Sequence, residues 1–141
     1  GSLLNVEAFQ HPFDYQLDIS TGLVGETQPM AVDLVETFNL LLGLTVKTVD
    51  HVDGIRVVDG TTPNGDRTLV LWRDLDEVDN DALDEWFEEQ GYTEPDAPYD
   101  LIYVNGDNNL GRLRPSNQTW QVKLIDDALH RLMFDVEGEW S

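Results

Sequence analysis

Thr68-Leu69-Val70-Leu71-Trp72, a helical pattern opened by Asp79, and Leu101-Ile102-Tyr103-Val104 together decide the fold. The first and last runs are short and continuously apolar, as expected of strands buried on both faces. Between them Ala82, Leu83, Trp86 and Phe87 fall on one helical face, with Asp79 placed as N-cap and Gly91 as the stop. Strand, crossover helix and strand predict a parallel unit, with Tyr103 beside Leu71.

Working outward, Leu44–Val49 and Ile55–Val58 read as strands joined at Asp53-Gly54. Thr61 to Asp66, with Pro63 and Asn64-Gly65, reads as the next hairpin turn. These segments and Thr68–Trp72 predict an antiparallel meander. Upstream, Phe13 to Ile19 alternates like a half-buried strand, Gly22 and Gly25 mark a loop, and Met30 to Leu42 has helical periodicity ending at Gly43. Downstream, Asn105-Gly106-Asp107 opens a polar loop, and a last helix is expected from about Thr119 to Met133. The predicted class is therefore α/β with a mixed sheet, in the order β-α-β-β-β-α-β-α.

The chain has 141 residues, 40% of them apolar, and no cysteine. One domain is expected over residues 3–141, with Gly1-Ser2 read as a cloning remnant. Disulfides and thiolate chemistry are excluded, a reducing cytoplasm is the simplest setting, and no apolar run approaches a membrane span. Twenty-eight acids against eight Lys and Arg give a net charge of −20. Because the acids are scattered, we read them as a halophile-type surface that molar salt screens. Such a charge argues against a broad basic surface for nucleic acid.

The element order is also the core order of restriction-endonuclease-like nucleases, whose chemistry needs a metal-binding set of acids. Asp59 stands where such enzymes carry a metal-binding acid. The next strand, however, offers Leu69-Val70-Leu71-Trp72-Arg73 with neither acid nor lysine in the needed alternation. His11, His51 and His130 lack ligand spacing and read as surface residues, and no phosphate-binding glycine motif occurs. No catalytic, cofactor-binding or metal residue is assigned. Arg73, Asp74, Asn105 and Asp107 are expected together at the carboxyl edge of the sheet, where α/β folds place ligands. They form either a contact edge or an internal Arg73–Asp107 ion pair beside an ordinary turn. Arg112 and Arg114 are candidates for partner or DNA contacts. Val32 and Leu40 on the first helix, and Val122 or Leu124 on the last, exceed what one buried stripe needs and mark possible interfaces.

Phe13-Asp14-Tyr15-Gln16-Leu17, Val32 to Asn39 with Leu41-Leu42-Gly43-Leu44, Val70 to Asp74, Ile102 to Asp107, and Lys123 to Phe134 follow one another in order. Together they resemble the C-terminal region of adenine-specific DNA methyltransferases of type III restriction–modification systems, from about Asn5 to Phe134. The resemblance implies a parent enzyme that transfers a methyl group from S-adenosylmethionine to adenine N6 in DNA. Neither the Asp-Pro-Pro-Tyr-type tetrapeptide nor the Phe-x-Gly-x-Gly cofactor motif of that family is present. The resemblance thus implies a non-catalytic accessory domain without a cofactor of its own; the alternatives are a divergent restriction-endonuclease-like nuclease domain or a stand-alone protein-interaction module. Its implied partners are the methyltransferase body of the same chain, a second copy or a restriction subunit, with DNA reached through the parent complex and no membrane.

Overall fold

The computed structural model describes residues 6–20, 25 and 27–139. Gly1, Ser2, Asn5 and Gly22 lie outside the described residues. The protein is a mixed α/β fold. Five strands, β3 (Thr45–Val52), β4 (Ile55–Thr61), β5 (Arg67–Arg73), β6 (Leu101–Val104) and β7 (Gln121–Leu124), lie side by side in chain order. The first three form the expected antiparallel meander, and β5, β6 and β7 run parallel. A separate hairpin, β1 (Gln16–Ser20) with β2 (Thr27–Ala31), stands outside this sheet.

Side-chain alternation divides the sheet into two buried faces. On one, Val57, Leu69, Leu71, Ile102 and Val104 meet Leu83, Trp86 and Phe87 of helix α3 (Asn80–Glu89). On the other, Val58, Val70, Trp72 and Tyr103 meet Ala8 of α1 (Val6–Gln10), Leu34, Val35 and Phe38 of α2 (Leu34–Leu42), and Ile125, Ala128 and Leu129 of α4 (Ile125–Glu139). Phe38 packs edge-on against both Tyr103 and Trp72, at centroid distances of 5.3 and 6.0 Å.

The local signals act as their chemistry requires. The Asp79 carboxylate caps α3 by accepting from the Ala82 amide at 2.8 Å, and Asp33 caps α2 in the same way through Glu36. Gly43, left-handed, closes α2. Asp53 and Gly54 both have positive φ, 53° and 83°, so β3 and β4 join through a turn whose twist matches the strands.

Four expectations are corrected. Tyr103 lies beside Val70, and Leu71 beside Val104. Apolar run length is blind to register, but a one-residue slip would carry Tyr103 away from Phe38 to the α3 face. The strand expected from Phe13 begins only at Gln16, because Pro12–Asp14 forms a single 3-10 turn. The first helix begins at Leu34 rather than Met30, since Thr27–Ala31 pairs as β2. The last helix begins at Ile125, because Gln121–Leu124 is recruited as a fifth strand by β6. No helix among the described residues is long and apolar enough to cross a membrane.

At Gly60 on β4 an added Cβ would stand 2.5 Å from the Thr45 carbonyl oxygen and 2.8 Å from Leu44 Cγ. Gly60→Ala must push β3 away from β4, and a loss of about 2 kcal/mol is expected in urea unfolding, as for overpacked interiors. An unchanged midpoint would show that the β3–β4 approach tolerates a methyl group.

Candidate functional site

Of the four residues expected at the carboxyl edge, Arg73, Asn105 and Asp107 meet there as a clamp, whereas Asp74 pairs with His11. Arg73 ends β5 and Asn105 follows β6, and both are buried, with Arg73 only 1% exposed. The Asn105 side-chain oxygen accepts from the Arg73 amide at 3.0 Å, and its Nδ2 donates to the Arg73 carbonyl at 2.8 Å. One side-chain amide thus continues the β5–β6 ladder past its last backbone pair. The same Nδ2 donates to the Phe9 carbonyl at 2.8 Å, drawing α1 onto the strand ends.

The Arg73 guanidinium is held by neutral oxygens. Nε and Nη2 donate to the Asn105 carbonyl at 3.4 and 3.3 Å, and Nη2 also to the Asp107 carbonyl at 3.0 Å. Nη1 donates to the Val78 carbonyl at 3.2 Å and to Asn80 Oδ1 at 2.9 Å. A guanidinium has five N–H groups, and these contacts occupy all of them. The expected Arg73–Asp107 ion pair is therefore corrected: Asp107 contributes its main-chain carbonyl, while its residue stays exposed. The alternative of an open Arg73 contact to a ligand's carboxylate or phosphate is corrected too, because no donor remains to offer. Burial pushes the guanidinium below its ordinary value, while the charges of Asp126, Asp79 and Asp84 pull it back up. It remains the buried cation of an acidic surround. Asp126, at the start of α4, accepts from the Gly106 amide at 3.0 Å, and burial raises its carboxyl above the usual range.

Asp74 turns to the opposite side of the edge. Its Oδ1 accepts from the Asp76 amide at 2.9 Å, and its Oδ2 lies 3.0 Å from Nδ1 of His11. The other ring nitrogen of His11 lies 3.2 Å from Asp76. Burial alone would raise the Asp74 carboxyl, but the His11 contact and the amides of Asp76 and Glu77 hold it below the usual range. The Leu75 amide donates to the Gln10 carbonyl at 2.9 Å, so this turn and the N-terminal segment are fastened by backbone as well. His11, Asp74 and Asp76 can offer one ligand atom each within 4.8 Å of one another. Reading His11 as a lone surface histidine missed this group, because its partners lie more than sixty positions away along the chain.

The remaining candidates have local partners. Arg112 donates to Asp84 at 3.0 Å and is itself largely exposed, and Arg114 donates to the Trp120 carbonyl at 3.0 Å. Asp59 on β4 receives two bonds from Arg67, at 2.7 and 3.0 Å, and one from the Tyr99 hydroxyl at 2.7 Å. Its neighbours on the same sheet face, Leu69 and Leu71, are buried and apolar. Val32 and Val122 are partly buried against the two cores, whereas Leu40 is 73% exposed. Val122 and Leu124 sit on β7, not on the last helix. No family model matches this chain, and no curated protein or solved structure matches it.

Two outcomes follow from this chemistry. Asn105→Leu strands the Arg73 amide and carbonyl and the Phe9 carbonyl, and is expected to cost about 3 kcal/mol or more in urea unfolding; a loss below 1 kcal/mol would mean the clamp is dispensable. Burial alone would raise the Asp59 carboxyl, but the bonds from Arg67 and Tyr99 and the charges of Arg67 and Lys47 hold it below its ordinary 3.8. A carboxyl lowered on folding stabilises fully above its unfolded value, and that contribution fades as pH falls through the folded one. The stability gap between the wild type and Asp59→Asn should therefore be constant near neutrality and shrink below about pH 3.8. A gap independent of pH would remove the carboxylate's charge from the account.

Proposed function

We propose that this chain is a non-catalytic assembly and accessory domain of an adenine-specific DNA methyltransferase of a restriction–modification system. In this reading S-adenosylmethionine and the transfer step belong to the methyltransferase body. The present chain supplies a docking surface to that body, to a second copy or to a restriction subunit, and DNA is reached through the complex.

The observation that carries the docking role is the edge strand β3. It is one of the two outer strands of the sheet, it is exposed along nearly all its length, and its Val46 and Val49 are 40% and 51% exposed. Residues 37–49 contain no Asp or Glu, although acids make up a fifth of the chain. Within β3 the Lys, Arg, Asp and Glu residues are Lys47 and Asp50, which balance, and beside them the exposed β-branched Thr45, Val46, Thr48 and Val49 suit an interface in an otherwise acidic chain. An outer strand also offers unpaired backbone groups for strand addition. The assignment to DNA modification rests on the ordered resemblance of the sequence segments, with Arg73, Asn105 and Asp107 as its structural turn rather than its chemistry.

The test joins both parts. The chain should bind a separately produced methyltransferase body encoded upstream in the same reading frame, and Val46→Glu with Val49→Glu should weaken that binding at least tenfold without lowering the melting temperature. Methyl transfer to DNA by the chain alone, or unchanged binding by the double variant, would overturn the proposal.

A further inference from the structure

The geometry points to a structural site for a first-row transition dication of the zinc class, formed by His11, Asp74 and Asp76, that locks the N-terminal segment onto the turn between β5 and α3. Two segments far apart in sequence converge here. His11 precedes the 3-10 turn at Pro12–Asp14, Asp74 follows the last residue of β5, and Asp76 lies in the turn leading to α3. The place is the carboxyl end of a central strand, the usual ligand position of an α/β sheet.

The donor set suits an ion, since one ligand atom from each of the three residues lies within 4.8 Å of the others. One ring nitrogen faces each carboxylate, at 3.0 and 3.2 Å. As an imidazolium the ring donates to both carboxylates, and a dication that binds one of its nitrogens takes the place of that proton. A nitrogen with two carboxylate oxygens suits zinc or its neighbours better than calcium or magnesium, which prefer oxygen alone. Tetrahedral donors about 2.1 Å from zinc stand about 3.4 Å apart. The His11–Asp74 spacing is already close to this. Asp76, with its side chain 78% exposed, is free to change rotamer and close the remainder.

The surrounding bonds hold the donors before any ion arrives. The Asp74 carboxylate is fixed by the Asp76 amide, and the backbone beneath His11 by the Leu75–Gln10 and Asn105–Phe9 bonds. Two carboxylates and a neutral imidazole would present −2 to the ion. Diffuse attraction by the other acids is largely screened in molar salt, whereas direct coordination is not. High salt therefore separates a built site from an ion atmosphere.

The experiment titrates zinc chloride into the full chain, stripped with chelator, in 2 M potassium chloride, by calorimetry and thermal unfolding. One zinc per chain and a raised melting temperature are expected. Asp76→Asn, an exposed change that leaves the fold intact, and His11→Gln should each weaken binding at least tenfold. Asp81→Asn, an exposed acid elsewhere, should leave it unchanged. X-ray absorption of the loaded protein should show one imidazole among oxygen donors. Absence of zinc binding, equal binding by the Asp76 and His11 variants, equal loss in Asp81→Asn, or more than one imidazole at the metal would each overturn the assignment.

Discussion

The Asn105 side chain is the constraint on which the rest of the molecule rests. A parallel pair of strands ends with unpaired amides and carbonyls, and here those of Arg73 are taken by one buried amide group. Because that amide also reaches Phe9, the sheet terminus, the entry of the chain and the loop after β6 are fixed together. The aromatic packing of Phe38 on Trp72 and Tyr103 needs β5 and β6 in this register, which the clamp enforces at their ends.

Arg73 illustrates how an acidic protein buries a cation. A direct carboxylate partner would have to be stripped of water along with it, a costly exchange unless the geometry is ideal. The structure instead surrounds the guanidinium with carbonyl dipoles and leaves Asp126, Asp79 and Asp84 to act at longer range. Asp59 follows the other route. Its carboxylate, only partly buried, takes a bidentate arginine and a tyrosine hydroxyl directly. The same residue types thus serve different ends at the two ends of β5.

Much of the architecture was legible in the sequence because its signals are local. Apolar runs at 68–72 and 101–104, the caps at Asp79 and Gly43 and the turn at Asp53-Gly54 each act within a few residues, and each forms where expected. What escaped depends on distant partners. Gln121–Leu124 is too short to declare itself a strand, and Val122 shares a helical spacing with Ile125 and Leu129, so only the free edge of β6 decides its state. Thr27–Ala31 contains Pro29 and becomes a strand by pairing with β1. At the candidate site the meeting of Arg73, Asn105 and Asp107 was readable from the parallel unit. Their consumption in internal bonds was not, because hydrogen-bond geometry is absent from a pattern of residue types. His11 escaped altogether, since its proximity to Asp74 and Asp76 arises from the fastening of the N-terminal segment, a tertiary event.

The irregularity in β3 sets a limit on the edge that carries it. Between Val46 and Thr48 the register with β4 shifts by one residue, leaving Lys47 as an inserted position. A strand laid along this edge from the Val52 end meets regular hydrogen-bond spacing only as far as Thr48. There the extra residue, Lys47, interrupts the regular spacing of backbone donors and acceptors. The regular part of this edge is therefore short and ends at the bulge. The open-ended stacking that turns exposed strands into fibres has no continuous track to follow here.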